Sequence, residues 1–320
     1  MKAVQMLAMG KKELPFKMEV LVTDSESFTL PLITGYNYNF VVTWGDGNSG
    51  TITSFDDADA THVYTTGATY TIEILGTCEN IYFNNGGNKL NVKKITQWGT
   101  TGFKTVNFFN CSNLTSIIAP TNSKELKYIT SFENSFASCS GLTSIPTSLF
   151  ANSISNLTFK TTFNFCTGLT SIPTGLFDKN TLVTTFESVF NSCSNITSMP
   201  SGLFDKNTLV TNFRYAFNDC EDLIAIQSGL FDNNSLITTF ASTFQGCTSL
   251  TAIPSGLITS VLHSSLTIVL NCFYDCTGIN TTVYEIWNDA GFSGITTGFC
   301  FYNDVSITNY ADIPNAWGGA

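Results

Sequence analysis

The sequence has little charge, and positive charge is the scarcest. Lysine and arginine contribute 14 of the 320 residues against 24 acidic residues, the only arginine is Arg214, and the formal net charge is −10 at pH 7. Nucleic acids and anionic lipid surfaces attract proteins through clustered basic side chains. The composition therefore predicts no nucleic-acid partner, whereas the 43% of hydrophobic residues predicts an ordered, well-packed core.

Long hydrophobic runs are also absent from the sequence. No apolar stretch approaches the roughly 20 residues that a membrane-spanning helix needs, so membrane insertion is not expected. The start of the chain has a short apolar patch, but Gln5 interrupts it and no small-residue cleavage site follows. We therefore expect residues 1–14 to be a segment that docks onto a partner rather than a signal peptide.

Residues suited to catalysis are few and scattered. The two histidines, His62 and His263, lie in different parts of the chain, and we expect a structural strand position for His62 and a solvated side chain for His263. The sequence also lacks a phosphate-binding glycine loop, a G-x-S-x-G nucleophile elbow and an H-E-x-x-H zinc motif. These absences predict a protein that is not an enzyme and that uses no cofactor or metal.

What the sequence has instead is a repeat. Seven of its ten cysteines recur every 27 to 29 residues, and each follows a phenylalanine by three positions. These cysteines are Cys111, Cys139, Cys166, Cys193, Cys220, Cys247 and Cys276. A fixed period of this length predicts a solenoid in which equivalent residues stack. We expect buried packing thiols rather than disulfides or zinc ligands, although Cys272 and Cys276 have the i, i+4 spacing of a metal-binding pair.

Within one repeat the apolar spacing is that of a short amphipathic helix. Leu182, Phe186, Phe190 and Cys193 lie at i, i+4, i+8 and i+11, which places them on one helical face. Residues 196–200 end in proline and predict a brief parallel strand. The predicted fold of residues 105–298 is thus an α/β leucine-rich-repeat solenoid with 27-residue repeats. Recurrent acidic residues are expected to cap its helices: Asp178, Asp205 and Asp232, each followed two positions later by an asparagine.

Two segments are expected to close the ends of this solenoid. Residues 78–104 would link it to the front of the chain and form its N-terminal cap, with Leu90, Val92, Ile95 and Trp98 covering the first coil. Residues 299–320 keep fragments of the repeat but carry Asp304 at the cysteine position. This departure predicts a C-terminal cap.

The front of the chain, residues 15–77, has a different period. Residues 38–44 and 70–74 alternate between apolar and polar side chains, as half-buried strands do, and glycines at 45 and 47 indicate a turn. The W-G-D-G motif at 44–47, followed by His62-Val63-Tyr64 and then by residues 70–72, resembles the polycystic-kidney-disease (PKD) domain. The resemblance implies a small immunoglobulin-like β-sandwich that acts as a spacer or binding module without catalysis.

The repeat region also resembles a known family. Its unit, F-x-x-C-x-x-L-T-S followed by a loop and F-D-x-N, is similar to that of BspA-like leucine-rich-repeat surface proteins over roughly residues 105–315. Family members act as adhesins, and the pairing with a PKD-like module resembles proteins of gut Bacteroidetes and their phages. We therefore expect a phage virion surface component, a fibre or decoration protein and a homo-oligomer, that docks onto other virion proteins through residues 1–14. The alternative is a bacterial cell-surface adhesin.

The expected binding surface is a ladder of hydroxyl groups along one side of the solenoid. Its candidate residues are Thr143, Ser144, Thr170, Ser171, Thr197 and Ser198. Hydroxyls both donate and accept hydrogen bonds, so the ladder suits a glycan or a host surface protein. Solvated strand edges without a ligand are the alternative. Calcium at the loops of Asp46 and Asp56, Asp57 and Asp59 also stays open, because carboxylate oxygens are its preferred ligands.

Overall fold

The computed structural model describes residues 13–259, 261–283 and 294–319, so most of the expected docking segment lies outside the described residues. Within these ranges there are ten β-strands, four 3₁₀ helices of three residues each, and no α-helix. The strands are β1 (Phe16–Val22), β2 (Ser27–Thr29), β3 (Tyr38–Thr43), β4 (Ser49–Ile52), β5 (Thr61–Val63), β6 (Ala68–Cys78), β7 (Asn80–Tyr82), β8 (Val92–Gln97), β9 (Thr105–Asn107) and β10 (Ser116–Ile117). The 3₁₀ helices are Ala58–Ala60, Lys89–Asn91, Tyr310–Asp312 and Asn315–Trp317.

The front of the chain forms the regular sheets of the protein. Six strands make a mixed sheet in the order β10-β8-β1-β6-β3-β4, which is antiparallel except at the β10–β8 edge. Two-stranded sheets, β2–β5 and β7–β9, accompany it. In β3 alternate side chains, including Phe40 and Val42, are buried, as the alternation in the sequence predicts. The predicted strands at 38–44 and 70–74 fall within β3 and β6.

The segment expected to be a linker is part of the main sheet. Strand β8 pairs with β1 on one side and with β10, at the start of the repeats, on the other. Trp98 is buried and lies against both Phe16 of β1 and Phe108 of the first repeat, with ring centroids 6.2 Å apart in each case. Val92 and Ile95 are buried as expected, whereas Leu90 is exposed. The sheet and the first repeats therefore share one core.

The predicted α/β leucine-rich-repeat solenoid is wrong. The described residues are mostly sheet-like, only about 4% of them are helical, and their sheets are mixed. The backbone of residues 186–193 shows why no helix forms there. The amides of Phe186, Ser188, Phe190 and Ser192 each donate to a carbonyl 26 residues further on, at 2.7 to 3.0 Å, instead of four residues back. An α-helix requires the latter bond at every residue, so these bonds exclude it.

Three of the remaining amides in this stretch, those of residues 189, 191 and 193, close four-residue turns. Val189 donates to the carbonyl of Phe186 at 3.1 Å, and Cys193 donates to that of Phe190 at 3.1 Å. Each turn contains one residue with positive φ, Ser188 at 54° and Ser192 at 56°. In a series of four-residue turns a buried apolar residue, such as Phe186 or Phe190, recurs every fourth position. This spacing is also typical of an amphipathic helix. We call residues 130–259, 261–283 and 294–303, where this pattern recurs, the stacked turns.

Two details of the predicted unit also differ. Leu182, expected on the buried helical face, is 45% exposed, and its neighbour Val183 is buried instead. The parallel strand expected at 196–200 reduces to a single bridge between Ser171 and Ser198. Parallel bridges of the same kind join Thr158 to Thr185 and Thr185 to Asn212. Neighbouring turns are therefore held by isolated bridges and alternating amide bonds rather than by continuous strands.

The core of the stacked turns consists of columns of aromatic rings. Phe163, Phe190 and Phe217 stack with centroids 5.7 and 5.8 Å apart, and a second column runs through Phe159 and Phe186 at 5.7 Å. These separations suit offset stacking of aromatic rings. The phenylalanine positions of the sequence repeat thus coincide with the columns that hold neighbouring turns together.

The cysteines form a further buried column. Six of the thiols donate to phenylalanine carbonyls 30 to 32 residues earlier, for example Cys193 Sγ to the carbonyl of Phe163 at 3.0 Å. All ten cysteines are free and buried. Burial raises the pKa of Cys166 to about 12, so this thiol stays protonated and keeps its donor. The packing interpretation is confirmed.

A column of asparagines replaces the expected helix caps. Asn207 Nδ2 donates to the carbonyls of Phe177 at 3.2 Å and Asn180 at 2.9 Å, and Asn180 and Asn234 make the equivalent bonds. The aspartates that precede these asparagines have no helix to cap within the described residues. The expectation of a solvated His263 is wrong: the side chain is fully buried, with Nε2 at 3.4 Å from the carbonyl of Phe231.

Candidate functional site

The predicted hydroxyl ladder is present as an exposed surface, but part of it is engaged by the backbone. All six candidates, Thr143, Ser144, Thr170, Ser171, Thr197 and Ser198, are exposed. The hydroxyl of Thr197 lies 3.5 Å from the carbonyl of Thr170, and its amide donates to the same oxygen at 3.2 Å. The Thr197 side chain therefore supports contact with the preceding repeat.

A different face of the stacked turns carries a row of side-chain amides. Asn191 Nδ2 donates to Asn164 Oδ1 at 2.6 Å, and Asn218 Nδ2 donates to Asn191 Oδ1 at 2.7 Å. Gln245 occupies the next position, because the Asp219 amide donates to its carbonyl just as the Ser192 amide donates to that of Asn218. We call Asn164, Asn191, Asn218 and Gln245 the amide row. Asn218 is buried and the other three are half-buried, and Asn218 Nδ2 also donates to Asp219 Oδ2 at 2.7 Å.

The amide row ends in aromatic side chains. The same backbone bonds continue to Tyr274, whose carbonyl accepts from Gly246 at 2.8 Å, and to Tyr302, whose carbonyl accepts from Asp275 at 3.0 Å. The rings of Tyr274 and Tyr302 stack with centroids 5.4 Å apart. Tyr302 and Phe299 meet in a T-shaped arrangement at a centroid distance of 5.5 Å. The row thus changes from amides to stacked rings over its last two positions.

These rings line an open cleft of about 440 Å³ together with Asn271. We call Asn271, Tyr274, Phe299 and Tyr302 the aromatic cleft. Phe299 is 56% exposed and Tyr302 is 47% exposed, whereas the phenylalanines of the core columns are buried. The cleft falls within the range of about 300 to 1,000 Å³ that is usual for small-molecule sites. Exposed rings that converge on one cleft mark a candidate ligand site.

A buried carboxylate lies close to this end of the molecule. Asp304 takes the cysteine position of the last repeat, is fully buried, and neither carboxylate oxygen has a hydrogen-bond partner among the described residues. Burial raises the pKa of Asp304 to about 8, and the neighbouring Asp275 adds to the rise. The group is therefore largely protonated at neutral pH.

The front region holds a second, smaller cluster. His62 stacks on Trp44 at 5.2 Å, meets Tyr64 edge-on at 4.6 Å, and places Nε2 2.7 Å from Asp46 Oδ2. Asp46 Oδ1 accepts the Asn48 amide at 3.0 Å, which closes the predicted turn. The structural strand position of His62, in β5, is confirmed.

The carboxylates considered for calcium are directed at backbone amides. Asp57 accepts from the amides of Thr53 at 3.1 Å and Asp59 at 3.1 Å, while Asp59 accepts from Thr51 at 3.4 Å. Across the described ranges, no three His, Cys, Asp or Glu side chains are grouped as metal ligands would be. Among the same residues no helix has the length and hydropathy of a membrane span.

No protein-family model matches the chain, and no curated protein is significantly similar to it. The candidate site therefore rests on geometry. Sequence reasoning missed the aromatic cleft, although a signal was present. The residue two positions before the repeat cysteine is Asn164, Asn191, Asn218 and Gln245 in four consecutive repeats, and then becomes Tyr274 and Tyr302.

Proposed function

We propose that the protein is a non-enzymatic attachment protein of a phage virion, a fibre or decoration component that binds a host surface protein or glycan. The observation that carries the attachment role is the aromatic cleft, whose exposed rings stand at the end of the partly buried amide row. Exposed rings that bear phenol groups can make both apolar contacts and hydrogen bonds to a partner. The resemblance of the repeat and of the front motif to phage and surface proteins supports the location.

The mode of assembly belongs to the same proposal. Residues 1–14 dock the chain onto other virion proteins, and the chain is a homo-oligomer, as closed symmetry favours for repeated surface components. Among these residues, Leu14 is hydrogen-bonded in both directions to Thr100, through its amide to Oγ1 at 3.1 Å and through its carbonyl to the Thr100 amide at 2.8 Å. Leu14 is thus fixed beside Thr100, two residues before the start of β1.

Immunogold electron microscopy tests the location. A polyclonal antibody raised against the full chain would be applied to phage particles and to uninfected cells from the same source, with pre-immune serum as the control. We expect label at one fixed position on the virions. Label confined to uninfected cell envelopes would overturn the virion assignment and establish the alternative, a bacterial cell-surface adhesin. Absence of label from both would contradict surface display altogether.

A further inference from the structure

We infer that the aromatic cleft binds a neutral sugar ring of a glycan. This inference rests on the proposed attachment function and names the ligand class of its site. Two properties of the cleft carry it: exposed aromatic rings that bear phenol groups, and four lining residues that carry no positive charge.

The exposed ring faces supply the apolar half of the recognition. A pyranose ring presents C–H groups on its faces and hydroxyl groups around its rim. The faces of aromatic rings are negative and attract such C–H groups. Phe299 and Tyr302 are perpendicular to each other, with an interplanar angle of 85°, so they form two walls of one cleft. Tyr274, stacked on Tyr302, fixes the orientation of the second wall.

Polar atoms at the cleft match the hydroxyl rim of a sugar. Asn271 Oδ1 is shielded from solvent and has no hydrogen-bond partner among the described residues. An oxygen shielded in this way is out of reach of a ligand, so the polar contacts to a sugar fall to the phenol groups of the cleft. The phenol groups of Tyr274 and Tyr302 can each donate and accept. Beside them, Asn303 Nδ2 donates to Asp275 Oδ1 at 2.7 Å.

The charge around the cleft selects against other ligands. None of its four lining residues is basic, and Asp275 follows Tyr274 directly in the chain. A phosphate, a sulfated sugar or a nucleic acid would meet no cation there and would be repelled by the net charge of −10. An uncharged ligand with both apolar and hydroxyl surface remains, which is the chemistry of a neutral hexose or N-acetylhexosamine.

Saturation-transfer-difference NMR tests this inference on the full chain. The probes are the methyl glycosides of glucose, galactose, mannose and N-acetylglucosamine. We expect saturation of the ring C–H protons of at least one glycoside. Tyr302→Ala should weaken binding at least tenfold, whereas Tyr302→Phe, which keeps the ring, should retain most of it. Phe165→Ala is the matched control, because Phe165 is 50% exposed at a positive-φ turn position outside the cleft.

The outcomes separate this inference from the proposed function. Equal loss in Tyr302→Ala and in the control Phe165→Ala would overturn the cleft as the sugar site. Saturation from none of the glycosides would also overturn it, even if virions carry immunogold label. If no glycoside binds but a host surface protein binds the parent chain and not the Tyr302→Ala variant, the cleft would be a protein-binding site instead. Absence of immunogold label would overturn the proposed function. The NMR result would then still decide whether the cleft binds a sugar.

Discussion

The front sheet and the stacked turns bury the same kinds of side chain with different backbone bonding. In the sheet, β1 and β6 pair over seven consecutive residues, from Phe16 opposite Ile74 to Val22 opposite Ala68. In the stacked turns, amides alternate between the neighbouring turn and a carbonyl three residues back. The sheet therefore joins segments that are distant in sequence, whereas the amide bonds and stacked rings of the stacked turns join residues in adjacent repeats, about 27 positions apart.

This difference in backbone bonding shows that the spacing of apolar residues alone does not identify secondary structure. A period of two in β3 gave the correct element, because only a strand places alternate residues on one face. A period of four in Phe186 and Phe190 fits both an α-helix and a series of four-residue turns. An α-helix and a series of turns differ in which carbonyls accept from the backbone amides. The acceptors in the turns lie in the next repeat, so the local sequence alone does not identify them.

The largest effect should come from removing a ring in the middle of the stack. Phe186 contacts Phe159, Phe177, Phe204 and Phe213, so Phe186→Ala opens a cavity between turns. We expect the free energy of unfolding to fall by about 3 to 5 kcal/mol. Because these stacked rings join adjacent repeats, hydrogen exchange should accelerate in the turns around residue 186 more than in β3.

A matched substitution in the front sheet should reverse this pattern. Val42 is fully buried in β3, and Val42→Ala should accelerate exchange in β3 and β6 while leaving the turns around residue 186 protected. Exchange rates that rise equally in both regions for both variants would contradict the comparison. The shared core at Trp98 would then unite sheet and turns into a single cooperative unit.

The second effect concerns pH and the end of the cysteine column. Below a pH of about 4, Asp304 is protonated in both folded and unfolded chains. As the pH rises towards 8, the unfolded chain loses this proton first, because burial raises the folded pKa to about 8. The free energy of unfolding should therefore fall across this interval. Asp304→Cys, which restores the column thiol, should add about 2 kcal/mol at pH 8 and little at pH 4.

Urea denaturation at pH 4, 6 and 8 measures this effect. Asp304→Asn is the control, since it removes the titrating group without supplying a thiol and should flatten the pH dependence. His263 acts in the opposite direction, because burial lowers its pKa and the unfolded chain gains a proton first below about pH 6.5. His263→Asn should therefore improve stability at pH 5. An Asp304→Cys curve parallel to that of the parent protein would contradict the role of Asp304.

The third effect is the difference in stability between glycine and alanine at residue 192, whose sign differs between a turn and a helix. Ser192 has φ of 56°, and Gly246 occupies the same turn position two repeats later with φ of 71°. In a helix, glycine destabilises by about 1 kcal/mol relative to alanine. At a left-handed turn position the order reverses, because a Cβ atom disfavours positive φ by about 1 to 2 kcal/mol. The Ser192→Gly variant should therefore melt at a higher temperature than the Ser192→Ala variant. The opposite order would contradict the turn and favour a helix at residue 192.

Much of the core could be predicted from the sequence, since the repeat positions of Phe190 and Cys193 are buried and stacked. The sequence could not exclude the helix at residues 186–193. Serine occurs both in helices and in turns, so the residue type at 188 and 192 does not reveal that the backbone there has positive φ. His263 was placed in solvent because its repeat register is shifted by two residues relative to Asn234. The aromatic cleft was missed because it forms only where Phe299 and Tyr302 meet Asn271 of the preceding turn.

The smallest effect should come from the predicted hydroxyl ladder. Thr197→Val keeps the side-chain shape and removes a long, exposed hydrogen bond to Thr170, and Ser198→Ala removes a solvated hydroxyl. Both should change the free energy of unfolding by less than about 0.5 kcal/mol in urea denaturation. Because the aromatic cleft carries attachment in this proposal, neither variant should reduce adhesion of the full chain to host cells. A tenfold loss of adhesion with unchanged stability would instead make the serines of the ladder the attachment face.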